Sequence, residues 1–352
     1  MMKNDTIQFS ICIPQYNRVE FLLENLIQIA KQSYQGIEIC ISDDCSTDNT
    51  EEALKSFIPM YKYPVRYERF LTNQGYDRNL RRAMEMASGD YIIILGNDDT
   101  LNPQYDLKIL AQFIGDHHYP EIGFTNYLSA RNQELHTRAH TTDMLGQGPE
   151  TAFAYYSCFS FIGGIVIKRQ LFIEHNTAAH DGSIYGQMYF STLIISEGGR
   201  LFSIKEPVVI KDVLPDHEAQ RVTFLDHIPR KWKEYKRLDG GLHAVISVVL
   251  SGFLDSRTLN QRIIFRVFKK IYTTTLPFWI VTYRRNSALP AAIGLISGLR
   301  PWDSAFFSHL SWINKVRITI RYILMSFLGL IIPFFIFDFM ATHIFKKTVQ
   351  SS

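Results

Sequence analysis

The sequence predicts an α/β domain with a mostly parallel sheet, followed by a helical region, and three observations carry that reading. Strand-like and helix-like stretches alternate with short connections over the first hundred residues. Tyr91 to Leu95 is an unbroken apolar and aromatic run, the pattern of a strand buried on both faces, and it stops at Gly96, Asn97, Asp98 and Asp99. From about Pro229 the composition turns to long helical segments with paired basic residues. At 352 residues the chain has room for two units, which we place at 1–228 and 229–352.

The elements follow in order. FSICIP, Phe9 to Pro14, is a short apolar run, and the next stretch is helical through Phe21, Leu22, Leu26 and Ile29. IEICISDD, Ile37 to Asp44, is a second strand with acidic residues at its C-terminal end. Ser46, Thr47 and Asp48 offer caps for a helix near Glu51 to Phe57. A third, shorter strand lies near Val65 to Phe70. A helix with Leu80, Ala83, Met84 and Ala87 on one face then stops at Gly89 and leads into the Tyr91 strand. Beyond Pro103 come a helix, LKILAQFIGDH, a strand, EIGFTNYLSA, and a polar loop from Arg131 to Glu150. FIGGIVIKRQLFIE and a last pair of short strands within Arg200 to Asp212 complete the domain.

In an open parallel sheet, ligands lie beyond the C-terminal ends of the strands where the strand order reverses. The loops after Ile13, Ser42 and Leu95 should therefore gather Asp43, Asp44, Asp98 and Asp99 around one cleft. Adjacent carboxylates at a buried strand end repel and are costly to desolvate, so they call for a cation or another strong partner; as a bare turn the four residues would be unremarkable. No GxGxxG follows the first strand and no GxxxxGK[ST] occurs, which disfavours a dinucleotide-binding dehydrogenase and a P-loop ATPase. A formal charge of +3 gives no ground for nucleic-acid binding. Cys12, Cys40, Cys45 and Cys158 have no metal-binding spacing and suit a reducing compartment. The N-terminus lacks the apolar core of a signal peptide, so the first unit is expected in the cytoplasm.

Taken together, FSICIPQYNR, ISDDCSTDNT, NQGYDRN and SGDYIIILGNDDTLNP resemble the nucleotide-sugar-binding half of a family 2 glycosyltransferase with the GT-A fold. The resemblance covers roughly Phe9 to Val213 and implies that Pro14, Tyr16, Asn17, Arg18 and Glu20 border the nucleoside. Asp43 would accept a hydrogen bond from the base, as an acceptor-only carboxylate can from uracil, thymine or cytosine. Arg78 would reach a phosphate or the sugar. The family motif usually begins with Asp where this chain has Gly96, so Asp98 is the expected metal ligand, with Asn97 and Asp99 assisting. The cofactor would be Mg²⁺ or Mn²⁺, which suit hard oxygen ligands and a diphosphate. The resemblance also offers His217 as a third ligand or a contact to the diphosphate, although the loop around it favours a simply exposed histidine.

The acceptor base departs from the family pattern. Many relatives carry Glu-Asp about a dozen residues before a Gly that precedes another strand; counting back from Gly198 and Gly199 lands on Gln187 and Met188, and neither takes a proton. Asp181, beside His180, is the nearest carboxylate and the expected catalytic base.

In the C-terminal third, Lys231, Lys233, Lys236 and Arg237, then Arg266, Lys269 and Lys270, then Arg284 and Arg285 alternate with apolar stretches such as FWIVTY. Tyr322 to Phe337 is uncharged, with Arg317 and Arg321 before it and Lys346 and Lys347 after. A span needs about 20 apolar residues, reached here only by including Asp338; Pro333 suits a re-entrant or interfacial helix equally. The expected protein is a metal-dependent, inverting glycosyltransferase at the cytoplasmic face of the inner membrane. It would move a sugar from a nucleotide-diphosphate donor, UDP first, with CDP or dTDP as alternatives, to a polyprenyl-diphosphate-linked glycan in O-antigen or capsule assembly. The competing expectations are a polyprenyl-phosphate sugar synthase and a non-catalytic nucleotide-sugar-binding or scaffold protein.

Overall fold

A computed structural model describes residues 6–213 and 242–340, which divide into a first unit up to Arg221 and a second from Val222. The expected boundary at 228/229 and His217 lie outside the described residues, as do Lys231, Lys233, Lys236, Arg237, Lys346 and Lys347.

The first unit runs β1 (Phe9–Gln15), α1 (Val19–Ile29), β2 (Ile37–Asp43), α2 (Thr50–Phe57), β3 (Val65–Arg69), α3 (Tyr76–Glu85) and β4 (Tyr91–Ile94). It continues through β5 (Thr100–Leu101), α4 (Leu107–Asp116), β6 (Ile122–Ser129), β7 (Leu135–His136), β8 (Asp143–Gly146) and α5 (Gly148–Tyr155), and closes with β9 (Ile165–Lys168), α6 (Arg169–His175), α7 (Gly186–Ser196) and β10 (Leu201–Lys211). One sheet takes the order β3-β2-β1-β4-β9-β6-β10-β5. β1 pairs in parallel with β2 and with β4, setting Ile11 beside Ile39 and Ile93. All seven residues of β1 and all four of β4 are buried, because a strand covered by helices on both faces has no side to turn to water. Leu22, Leu26 and Ile29 of α1 pack into the same core.

The chain adds β2 and β3 on one side of β1, then returns to lay β4 on the other. The strand order therefore reverses at β1/β4, the point beyond whose strand ends an open sheet of this kind takes its ligand. Most of the ladder is parallel, while β9 lies antiparallel between β4 and β6. The expected final pair of strands is instead the single strand β10. Its register against β6 shifts between Ile204 and Val209, around Pro207, which has no N–H to give to the ladder.

The second unit contains α8 (Leu242–Asp255), α9 (Gln261–Lys270), α10 (Leu276–Arg285), α11 (Leu289–Gly298), α12 (Trp312–Ile331) and α13 (Phe334–Met340). α12 buries Ile318, Tyr322, Ser326 and Gly329, and a Cβ on Gly329 would stand 3.0 Å from Ile280 of α10, so these two helices approach closely. The Tyr322 hydroxyl donates to the Ile296 carbonyl at 2.7 Å. The uncharged run expected from Tyr322 to Phe337 is broken at Ile332 and Pro333. No helix among the described residues is long and apolar enough to cross a membrane.

Candidate active site at the β1/β4 crevice

The loop after β1 is held in an uncommon backbone conformation, with Asn17 at φ 51° and Arg18 at φ 63°. Asn17 is pinned from both ends: its N–H donates to Ser46 Oγ at 2.8 Å, and its side-chain oxygen accepts from Thr47 N at 2.8 Å. The turn aims Arg18 across the crevice, where Nη1 donates to Asp98 Oδ2 at 2.6 Å. Gln15 is buried behind it and joins three elements. Its amide nitrogen donates to the Asn17 carbonyl and Thr50 Oγ1, its amide oxygen accepts from Asn97 Nδ2 at 2.9 Å, and its carbonyl accepts from Asn79 Nδ2. Pro14 is buried in β1, whereas Tyr16 and Glu20 are exposed at the rim.

Gly96 explains the shape of the acidic turn after β4. A Cβ there would lie 2.9 Å from Asp99 Oδ2 and 3.1 Å from Asp98 Oδ1, so the missing side chain makes the space into which both carboxylates fold. Asp99 is 4 % exposed. Its carboxyl is held well above the usual carboxylate range, first by burial and then by the negative charge of Asp98. The Asp212 N–H donates to Asp99 Oδ1 at 3.3 Å and Val213 N to the Asp98 carbonyl at 2.8 Å, which tethers the end of β10 to this turn. Tyr76, at the start of α3, is partly exposed, and its phenol is pushed up by desolvation and by the negative charges of Asp77, Asp99 and Asp98.

The structure therefore brings together Arg18, Asn97, Asp98 and Asp99. Asp43 lies at the next strand end, fully buried and heavily engaged: Oδ1 accepts from the Ser46 N–H at 2.8 Å and Oγ at 2.5 Å, and Oδ2 from the Tyr67 hydroxyl at 2.7 Å. Ser46 is thus spent on Asp43, while Asp48 accepts from Thr50 N at the start of α2. Asp44 accepts from Gln74 N and Gly75 N. Arg78 is not drawn to the acidic turn; it meets Glu85 at 3.2 Å and lies over the Phe70 ring.

Asp181 is gripped from α3. Arg81 Nε and Nη2 donate to its two oxygens, each at 2.8 Å, and Arg81 Nη1 reaches Asn176 Oδ1 at 3.1 Å. One turn earlier on α3, Asp77 accepts from Ile184 N at 2.8 Å. Burial pushes the Asp77 carboxyl up. Asp77 and Arg81 together fasten the segment leading into α7, where Gln187 and Met188 are both buried.

Arg138 escaped the sequence reading, inside what looked like an ordinary polar loop. Its guanidinium donates to the carbonyls of Thr125, Cys158, Phe161 and Gly163 and stands near the rings of Phe124, Tyr127 and Phe161. Burial lowers it to about 10, so it stays protonated at neutral pH. Gly163 and Gly164 follow directly: a Cβ on Gly163 would be 3.1 Å from Asp99 Oδ2, and Gly164 has φ +76° with Thr125 Oγ1 in the place of a side chain. Arg138 thus braces the turn that walls Asp99.

Residues 10–177 match the family model for glycosyl transferase family 2. Abequosyltransferase RfbV of Salmonella typhimurium is 47 % identical over 107 residues, which cover 30 % of this chain and 32 % of that protein. Poly(ribitol-phosphate) beta-N-acetylglucosaminyltransferase TarS of Staphylococcus aureus is 31 % identical over 115 residues, 32 % of this chain and 20 % of that one. The matched stretch spans a third or less of the length of these relatives. The crystal structure of S. aureus TarS 1-349 in complex with UDP is similar with a TM-score of 0.53 and 15 % identity, covering 92 % of this chain and 91 % of that one. Mannosyltransferase PcManGT from Pyrobaculum calidifontis, in complex with GDP-Man and Mn²⁺, gives a TM-score of 0.51 at 14 % identity, covering 93 % and 88 %. At such identities these structures speak to the fold.

Proposed function

We propose that the β1/β4 end of the sheet binds a nucleoside-diphosphate sugar and passes its sugar to a lipid-linked glycan acceptor, with inversion, a reading supported by the match of residues 10–177 to the family 2 glycosyltransferase model and by the GT-A-like fold. The observation that carries this reading is the convergence of Arg18, Asp98 and buried Asp99 at the reversal of strand order. A cationic side chain beside two crowded carboxylates suits a diphosphate that arrives with a divalent ion. UDP is the first choice of nucleotide, supported by the UDP and UDP-GlcNAc complexes of the structurally similar TarS; CDP and dTDP are the alternatives. A surface polysaccharide of the O-antigen kind is the proposed acceptor class, at the cytoplasmic face of the inner membrane.

The donor set fits Mg²⁺ or Mn²⁺ with few protein ligands. No group of three His, Cys, Asp or Glu side chains is arranged for a metal among the described residues. An ion that takes most of its oxygens from diphosphate and water needs only one or two carboxylates, which Asp98 and Asp99 provide. When bound, it would neutralise charge on the departing diphosphate. Arg18, released from Asp98, would then meet a phosphate oxygen, and Arg78 would do so by leaving Glu85. Asn97 stays fixed through Gln15, and Pro14, Tyr16, Asn17 and Glu20 frame the nucleoside. Asp43, buried and already accepting from Ser46 and Tyr67, would take a base N–H at Oδ2 by Tyr67 moving aside.

For proton removal the proposal is Asp181. Its two-point pairing with Arg81 sets the orientation of the carboxylate. Asp181→Asn is expected to lower kcat about 10²-fold or more with donor KM little changed. Steady-state kinetics checks this, and wild-type turnover in the variant would reduce Asp181 to a tie between its loop and α3. The wider reading is tested by nucleotide release from a panel of UDP-, CDP-, GDP- and dTDP-sugars, with and without chelator.

A further inference from the structure

α12 is apolar on the side it turns away from its own unit. The buried positions Ile318, Tyr322, Ser326 and Gly329 recur at helical spacing on one side. The opposite stripe is Ile313, Val316, Ile320, Ile323, Phe327 and Ile331, all exposed, with no polar residue among them. It runs about 27 Å along the helix. Trp312 at its start is 78 % exposed and Phe335 beyond its end 74 %. A soluble helix carries polar residues on this side, and an apolar stripe of this length marks a surface that something covers.

Charge identifies the covering partner. From Leu242 to Met340 there are eleven Lys and Arg against three Asp and no Glu. Two copies meeting through this stripe would bring like charges together with only three Asp to offset them, two of which, Asp303 and Asp338, already pair with Arg300 and Arg285. An anionic lipid surface offsets them directly, at about 1 kcal/mol per basic residue near the surface. The end of the stripe is held firmly: Arg284 Nη1 donates to the carbonyls of Gly329 and Ile332, each at 2.9 Å, and its guanidinium stands 4.9 Å from the Phe334 ring. Exposed aromatic residues at both ends sit where a bilayer's interfacial zone accepts them.

We propose that the outward stripe of α12 lies in the plane of an anionic membrane, its Ile, Val and Phe side chains among the acyl chains and the unit's basic residues at the headgroups. This rests on the membrane placement above and deepens it by naming the surface and the in-plane mode. Vesicle binding reads no chemistry, so failure of the glycosyltransferase reading would leave it standing, and the reverse also holds.

The test is sedimentation of the full chain with phosphatidylcholine vesicles, with and without phosphatidylglycerol, beside the double variant Ile320→Glu/Phe327→Glu. Both positions are exposed, so an unchanged melting temperature verifies the fold of the variant. Wild-type protein is expected to pellet with phosphatidylglycerol vesicles at least about tenfold better than with phosphatidylcholine alone, and the variant to lose at least about tenfold of that binding. Equal pelleting of variant and wild type overturns the proposal. So does a wild-type dimer in solution that the variant dissociates while neither binds vesicles, since a second copy would then cover the stripe.

Discussion

Asp98→Ala is expected to lower kcat/KM for sugar transfer by about 10²- to 10³-fold while leaving thermal stability unchanged or slightly higher. The two halves of this expectation have separate origins. In the free protein, Asp98 does little for the fold: among the described residues its side chain pairs with Arg18, in an ion pair with both side chains partly exposed, a kind worth about 0–1 kcal/mol. Its negative charge also raises the cost of ionising Asp99, so deleting it relieves the buried neighbour. With donor present, Asp98 would be the exposed carboxylate able to share a cation with the diphosphate, and nothing else at the turn replaces it. Asp98→Asn retains the size and a hydrogen bond to Arg18 but not the charge, and it should be nearly as inactive. Kinetics and thermal melts on the same preparations separate the two effects. A variant that loses stability and activity together would mean that Asp98 is structural.

Arg138→Met should destabilise the first unit by about 3–5 kcal/mol, the largest stability effect expected of any substitution discussed for this chain. The methionine keeps much of the volume and removes every donor. The carbonyls of Thr125, Cys158, Phe161 and Gly163 then lose a shared partner, at about 1–3 kcal/mol for each group left unsatisfied. Arg138→Lys should recover part of the loss, because an ammonium keeps the charge but cannot span four carbonyls with one rigid plane. Denaturant unfolding checks the order arginine, lysine, methionine. Equal stability of all three would mean that the turn holds without its brace. Gly163 lies against Asp99, so Arg138→Lys should also show a raised donor KM under conditions where it is fully folded.

The parts of the fold legible in the sequence were those with local signatures. The strands at Phe9, Ile37 and Tyr91 are apolar runs ended by polar turns, and the helices between them show 3.6-residue periodicity. The direction of β9 was not legible, since IVIK suits either orientation and only its neighbours decide. The continuity of β10 through Pro207 was hidden because a proline ordinarily ends a central strand. At the site, the gathering of Asp98, Asp99 and the β1 loop follows from strand order. The Arg18 bridge does not, because it depends on two left-handed residues in a row. Arg138 was invisible for a different reason: its partners are main-chain carbonyls, which every residue possesses and no motif records. In the C-terminal unit, the uncharged run from Tyr322 pointed to the right region, but the exposed stripe begins at Trp312 and alternates with Arg317 and Arg321 on its flanks.

The central claim, that the β1/β4 crevice seats a nucleoside-diphosphate sugar through Asp98 and Arg18, is most directly tested by nucleotide release from the donor panel, with wild type, Asp98→Ala and chelator-treated enzyme side by side. The account predicts release from a UDP-sugar first, abolished by chelator, restored by Mg²⁺ or Mn²⁺, and absent in Asp98→Ala. Release that persists at the wild-type rate in Asp98→Ala, or no release from any of the four donor classes with metal present, would contradict it.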